Sequence, residues 1–415
     1  MSGKAGLRDA QSQGTRDSPV PNVVTDAVKE ARSMLAHKVD DVPVSRGIRT
    51  SQMTCTCVQG SVLVLLLYDV CEEIRLEELS QIINAPAVTP TLKTAAPERI
   101  CFAHPPIVKR IKNASFEGGE RVEGQIKYYD YGVVSIILEL PFRGNWQSLA
   151  ELASRWMWDT EFEKRASEIA RQKLVRSSRA LIKPYEHWLS EDYFVFQIRD
   201  IGGVTTSGEL LAQFGPQIAQ IVRGEVVPLS EAERNEVLQS RISYYQNDLA
   251  VVGWNSAFVY DTAAGAQTAR ELLEYANSQL LEFRHYDELL SRELKGVYRS
   301  LEKGTGTLAR WRLAREAARL HTVLLEVTEL TERADNAIKF LGDMFSARLY
   351  RLAATKVGVL DYKNLVTQKL RTAEELYRFM VDQFHQGRAF VLELAVLVIL
   401  VIELVYLFHS RVGYL

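Results

Sequence analysis

Residues 389–408 read AFVLELAVLVILVIELVYLF, and the reading of this run decides how the rest of the chain is taken. A helix rises about 1.5 Å per residue, so about twenty residues span roughly 30 Å, the thickness of a bilayer's hydrocarbon core. Two acids, Glu393 and Glu403, interrupt the run near opposite ends. The aliphatic and Phe residues together favour insertion by on the order of 5–9 kcal/mol, against roughly 2.5–3.5 kcal/mol for an acid at mid-span and less off centre. The sequence therefore predicts one C-terminal transmembrane helix over 389–408 and a short tail over 409–415. Lys369, Arg371, Arg378 and Arg388 precede the run, whereas only His409 and Arg411 follow it. Positive charge stays inside, so the bulk is expected to face the cytoplasm at a bacterial plasma membrane, or the matrix at a mitochondrial inner membrane. Glu393 and Glu403 lie about 80° apart around the helix and roughly 15 Å along it. They read either as side chains reaching the nearer interface or as a polar seam to a partner helix.

Working back from the run, 229–388 reads as a helical coiled-coil stalk. A first helix over about 262–301 places Leu273, Ala276, Leu280, Phe283, Asp287, Leu290, Leu294, Val297 and Leu301 at heptad positions, with only Asp287 out of character. Gly304 and Gly306 make a turn. A second helix over about 308–355 has its seam at Leu313, Ala317, Leu320, Leu324, Val327, Thr331, Ala334, Ile338, Leu341 and Phe345. The short turn predicts an antiparallel hairpin. A third helix starts near Asp361, after Val357-Gly358, with Val366, Leu370, Ala373, Tyr377, Met380 and Phe384 on its seam, and continues into 389–408. These almost wholly aliphatic seams predict packing and self-association through helices, not a metal site.

Residues 51–228 read as an α+β head. Ser61-Val-Leu-Val-Leu-Leu-Leu-Tyr68 fits a buried strand, 76–84 a short helix, and 122–129 with 133–140 a hairpin turned by Asp130-Tyr131-Gly132. Residues 146–182 read as helix and 193–201 as a strand ended by Gly202-Gly203. Strand order is not legible, and a fragment ending near Val227 is expected to be soluble. Residues 1–50, polar and without an apolar run, read as a disordered lead-in with no secretory signal.

The chain has 415 residues with 50 basic against 52 acidic, a formal net charge of −2. No global basic field draws it to nucleic acid, and direct DNA binding is not expected. Four cysteines make no disulfide framework in this length and fit a reducing compartment. Phosphate-loop, zinc-protease and nucleophile-elbow motifs are not found. Cys55, Cys57, Cys101 and His104 are a loose candidate zinc set, weighed against idle thiols; no cofactor is assigned. Arg165, Arg176, Arg179 and Lys183 are placed on one face of the helix before Pro184, a candidate patch for RNA backbone or anionic lipid or simply a solvated face.

Three stretches carry a resemblance: Lys127-Tyr-Tyr-Asp-Tyr-Gly-Val-Val134, Ser230 to Asp261 with its Gly253-Trp254-Asn255, and Val391 to Glu403. Together they resemble the family of the protein required for meiotic nuclear division, which shares a YagE-type domain of unknown function. Leu394 stands where that family typically carries Trp. The resemblance implies no catalytic residues and, for mitochondrial relatives, a membrane tether near the ribosome. The expectation is a non-catalytic membrane-anchored scaffold presenting an α+β head, linked to translation, with the lipid bilayer and a ribosomal or other protein as partners. The alternatives are an oligomeric channel component using Glu393 and Glu403, and an enzyme with an unrecognised site in the head.

Overall fold

The spine of the fold is strand β1, Val58–Ile74, whose apolar residues 62–68 are buried on both sides. A run this uniformly apolar fits only between two packed layers. The chain is described from a computed structural model, which covers residues 57–85, 104–115, 121–158, 162–204, 206–302, 307–337 and 344–412. The expected lead-in over 1–50 lies outside these residues.

Helix α1, Leu76–Ile83, follows and ends on Asn84 in the left-handed conformation. Next come β2 (Ile107–Ser115), β3 (Arg121–Tyr128) and β4 (Val133–Gly144). The β3–β4 hairpin has Gly132 at φ +92°, and a Cβ there would sit 1.8 Å from the Cys71 carbonyl oxygen. Only glycine both adopts that angle and admits β1 so closely. Helices α2 (Trp146–Trp158) and α3 (Phe162–Val175) precede β5 (Leu181–Ile201), and α4 (Ser207–Arg223) and α5 (Glu231–Gln239) follow it. A capping box between Thr206 and Glu209 starts α4, and left-handed Gly224 ends it. Three short strands, β6 (Arg241–Ile242), β7 (Leu249–Val252) and β8 (Ser256–Tyr260), complete the sheet. Among the described residues it has eight strands in the order β2-β3-β4-β1-β5-β8-β7-β6. The β5–β8 pair is parallel and the others antiparallel.

The strand period of two sends alternate residues of β1 to opposite layers. Val62, Val64 and Leu66, with Phe194 and Phe196 of β5, face Leu149, Ala153, Ala166 and Ile218 of α2 to α4. Leu63, Leu65 and Leu67, with Tyr193 and Val195, face the second helical layer. That layer comprises α6 (Ala263–Glu302), α7 (Thr307–Ala337), α8 (Met344–Val357) and α9 (Val359–Val412). Leu273, Ala276, Leu280 and Phe283 of α6 and Leu349 and Ala353 of α8 meet the sheet there. Farther along, Leu294 and Val297 of α6 pack with Ala317 and Leu320 of α7 and with Ala373 and Met380 of α9.

The heptad positions thus form a core, but in its first half α6 is the inner helix of a three-layer head and not a free stalk. The sheet also runs past residue 228, through β6 to β8. The out-of-character Asp287 receives Lys369 of α9 at 2.5 Å. The helix expected over 146–182 ends earlier, because Leu181 and Ile182 pair with Ile74 and Glu73 of the long β1. Pro184 therefore lies inside β5, not at a helix end.

The expectation of a transmembrane anchor is corrected. Among the described residues, no helix is long and apolar enough to cross a membrane. Residues 389–408 continue α9, which also packs on the head. With the anchor go the single-pass topology and the membrane location derived from it.

Candidate functional sites

Titratable side chains concentrate between the sheet and α6. Asp69, the one acid in the apolar part of β1, is buried and lies 2.8 Å from His285 Nδ1 of α6. The ring of Tyr185 from β5 stacks on His285 with centroids 4.5 Å apart. One turn before His285, Glu282 accepts a hydrogen bond from the Tyr286 hydroxyl, while its Oε1 has no hydrogen-bond partner among the described residues. Lys127 of β3 pairs with Glu274 at 2.5 Å, with almost no water on either. Tyr131 of the hairpin turn shares a 2.8 Å hydrogen bond with Ser278. Arg284 holds Glu191 of β5. At the outer margin Lys183 joins Glu72 to Glu326 of α7.

Burial sets the electrostatics. It raises the Asp69 carboxyl against the opposing pull of His285, and it raises Glu282 further because Asp69 is close by. Burial, with the Asp69 charge, pushes the Cys71 thiol up to about 12, so at neutral pH it is a thiol, not a nucleophilic thiolate. Glu191 is raised to about 7 by burial, despite Arg284. These groups face one another across a closed seam and fix α6 in one register on the sheet. Sequence reasoning missed them. Asp69 was the available signal, a lone acid in the ten-residue stretch Val62–Cys71 that is otherwise apolar. Glu274, Ser278, Glu282 and His285 fall outside the heptad seam, where a helix with one partner faces water.

The residues singled out from sequence are placed apart. Arg165 lies on α3 and pairs with Glu168 at 3.1 Å. Arg176 is exposed in the turn after α3, and Arg179 is exposed in a short 3-10 turn over Ser178–Ala180. Lys183 is on β5, at φ +45°. The four do not share a helix face. Arg171 instead stacks over Trp188 at 4.4 Å. Cys57 is exposed, Cys55 and Cys101 lie outside the described residues, and exposed His104 is 2.8 Å from Asp130. No metal-holding cluster is found among the described residues.

Glu393 and Glu403 are both exposed on α9. Between and beside them Val396, Leu397, Val398, Ile399, Leu400, Val401, Ile402 and Leu404 are 48–62% exposed. Seven consecutive exposed apolar residues occupy nearly two turns, so every side of the helix is apolar. This is the candidate interaction surface.

The chain is 19% identical over 188 residues to the uncharacterised protein MJ0711 of Methanocaldococcus jannaschii, covering 45% of this chain and 58% of that protein. It thus matches less than two thirds of that relative's length. No solved structure matches the chain. The family model of the uncharacterised protein MJ0711, N-terminal domain, matches residues 59–267. The match begins in β1, takes in every strand to β8 and ends in the first turns of α6. It spans just over half of the sequence, and the chain belongs to the MJ0711 N-terminal domain family.

Proposed function

We propose that the chain is a non-catalytic scaffold that assembles through α9 with further copies of itself, displaying the α+β head. The observation that carries this reading is the exposed apolar run over 396–404. At half exposure its eight apolar side chains leave on the order of 700–800 Å² in water. A monomer rarely exposes more than a few hundred in one patch, and a stable interface takes about 800 Å² from each partner. One partner helix covers a stripe of about 100°, whereas this segment is apolar all round. Several neighbours are needed, which favours three copies or more. Glu393 precedes the run and Glu403 lies near its end, and in an assembled bundle they form the polar seam that sets its register. The titratable groups beneath α6 are engaged with one another, which favours a structural role for them over catalysis.

The resemblance to the meiotic nuclear division and YagE-type family gives the scaffold a partner in the translation machinery, with exposed Arg176 and Arg179 as a place to meet RNA backbone. The test is co-expression of two differently tagged full-length copies, with identification of everything that co-purifies. Recovery of the second tag, lost on Leu397→Glu with Val401→Glu, is expected. Failure to recover it, with the protein instead floating on lipid vesicles as single copies, would sink the assembly reading. Ribosomal components in the eluate would support the translation partner, and their absence would remove it.

A further inference from the structure

We infer that the cleft where the β7–β8 turn, α4, α5 and α8 converge is a binding site for a small planar anion, one aromatic ring carrying a phosphate or carboxylate. This does not depend on assembly through α9. The cleft holds about 210 Å³. That is below the roughly 300–1,000 Å³ of sites for larger ligands, so one ring and one acidic group fill it.

The flat wall is Trp254, 45% exposed in the turn between β7 and β8. An indole left half in water is an open stacking surface. Its position is built in. Gly253 N–H donates to the Ser256 carbonyl at 2.7 Å, and the Ser256 hydroxyl donates to the Val222 carbonyl of α4 at 2.7 Å. A Cβ on Gly253 would lie 2.8 Å from Val222 Cγ1, so glycine lets this turn press against α4 and present the indole.

The anion seat is made by Arg223, the last residue of α4, and Lys356, near the end of α8. Both converge on the Glu236 carboxylate, Arg223 Nη2 at 2.5 Å from one oxygen and Lys356 Nζ at 2.8 Å from the other. Arg223 Nε also meets Glu233 at 2.6 Å. A guanidinium and an ammonium closing on two oxygens of one group is how carboxylates and phosphates are recognised. The seat's preference for negative charge is visible in Glu236 itself, whose carboxyl is held below its ordinary range by the Lys356 hydrogen bond. Glu236 is about half exposed on the nine-residue α5. It can swing into water and yield the seat, because an ion pair this wet is weak. Glu236 therefore acts as an internal competitor, holding the place of the ligand's acidic group beside the ring wall. If these ion pairs only brace α8 against α5, removing Glu236 gains nothing for any ligand.

The test is calorimetric titration of the full-length chain with phenyl phosphate and with benzoate, alongside phenol and inorganic phosphate as the separated halves. An aryl anion is expected to bind, with each half at least about tenfold weaker. Glu236→Gln should tighten the aryl anion at least about threefold, while Trp254→Ala and Lys356→Met each weaken it about tenfold or more. Unchanged thermal melting assures that these variants fold. Tighter binding of phenyl phosphate assigns a phosphate ligand, and tighter binding of benzoate a carboxylate. The proposal is overturned if neither aryl anion binds the wild type or Glu236→Gln, if Glu236→Gln gains nothing, or if inorganic phosphate alone binds as well as phenyl phosphate.

Discussion

Lys127 and Glu274 meet between β3 and α6 with side chains 8% and 0% exposed. A buried pair adds little over an apolar one of the same shape, yet removing one partner strands a charge. Lys127→Met alone is expected to destabilise the chain by about 3–5 kcal/mol, and Lys127→Met with Glu274→Leu by much less. Denaturant melts of the two singles and the double measure this, and additive losses would contradict it. Glu282 makes the opposite statement about pH. Its folded carboxyl is raised above the ordinary 4.5 by burial and the nearby Asp69. The folded state thus keeps a proton that the unfolded state releases, and this stability contribution is present below about pH 4.5 and lost as pH rises above it. Glu282→Gln removes that titration. Melting temperatures from pH 5 to 8 should move steadily in the variant's favour, and parallel curves would refute the assignment. None of this seam was legible from heptad positions, because Glu274, Glu282 and His285 read as a wet face until the sheet is set against them.

At the scale of elements, α6 joins what sequence reading divided. Half of its length lies on Leu63, Leu65 and Leu67 of β1, so a fragment ending near Val227 would lack β6 to β8 and bare that face of the sheet. It is expected to aggregate on expression, in contrast to the solubility anticipated from sequence, while the full chain stays dispersed. A soluble fragment with a cooperative melt would show that the first layer stands alone. The strands were legible where patterning was local: β1 from its apolar run, and the β3–β4 hairpin from Asp130-Tyr131-Gly132. Strands β6 to β8 were not. Their runs are two to five residues long, and they exist as strands because β5 offers an edge far away in sequence. The early end of the helix expected over 146–182 has the same cause, since pairing with β1 claims Leu181 and Ile182.

For the whole molecule, the family match ends at residue 267, so α7 to α9 lie beyond the matched domain, and with them the exposed apolar stretch over 396–404. In the proposed assembly that stretch is the surface the copies share, with Glu393 and Glu403 beside it. In that account Glu393→Leu with Glu403→Leu keeps the chain assembled and changes the number of copies, because the polar register marks are gone while the apolar surface grows. The run's apolar character was plain in the sequence. That α9 is one helix from the head through this run was not, since a twenty-residue apolar stretch alone does not say what covers it. The decisive measurement is the mass of the full-length chain by sedimentation equilibrium across micromolar concentrations. The account calls for three copies or more in the wild type, a different number in the double Glu variant and one copy in Leu397→Glu with Val401→Glu. A wild-type chain that sediments as a single copy throughout would contradict it.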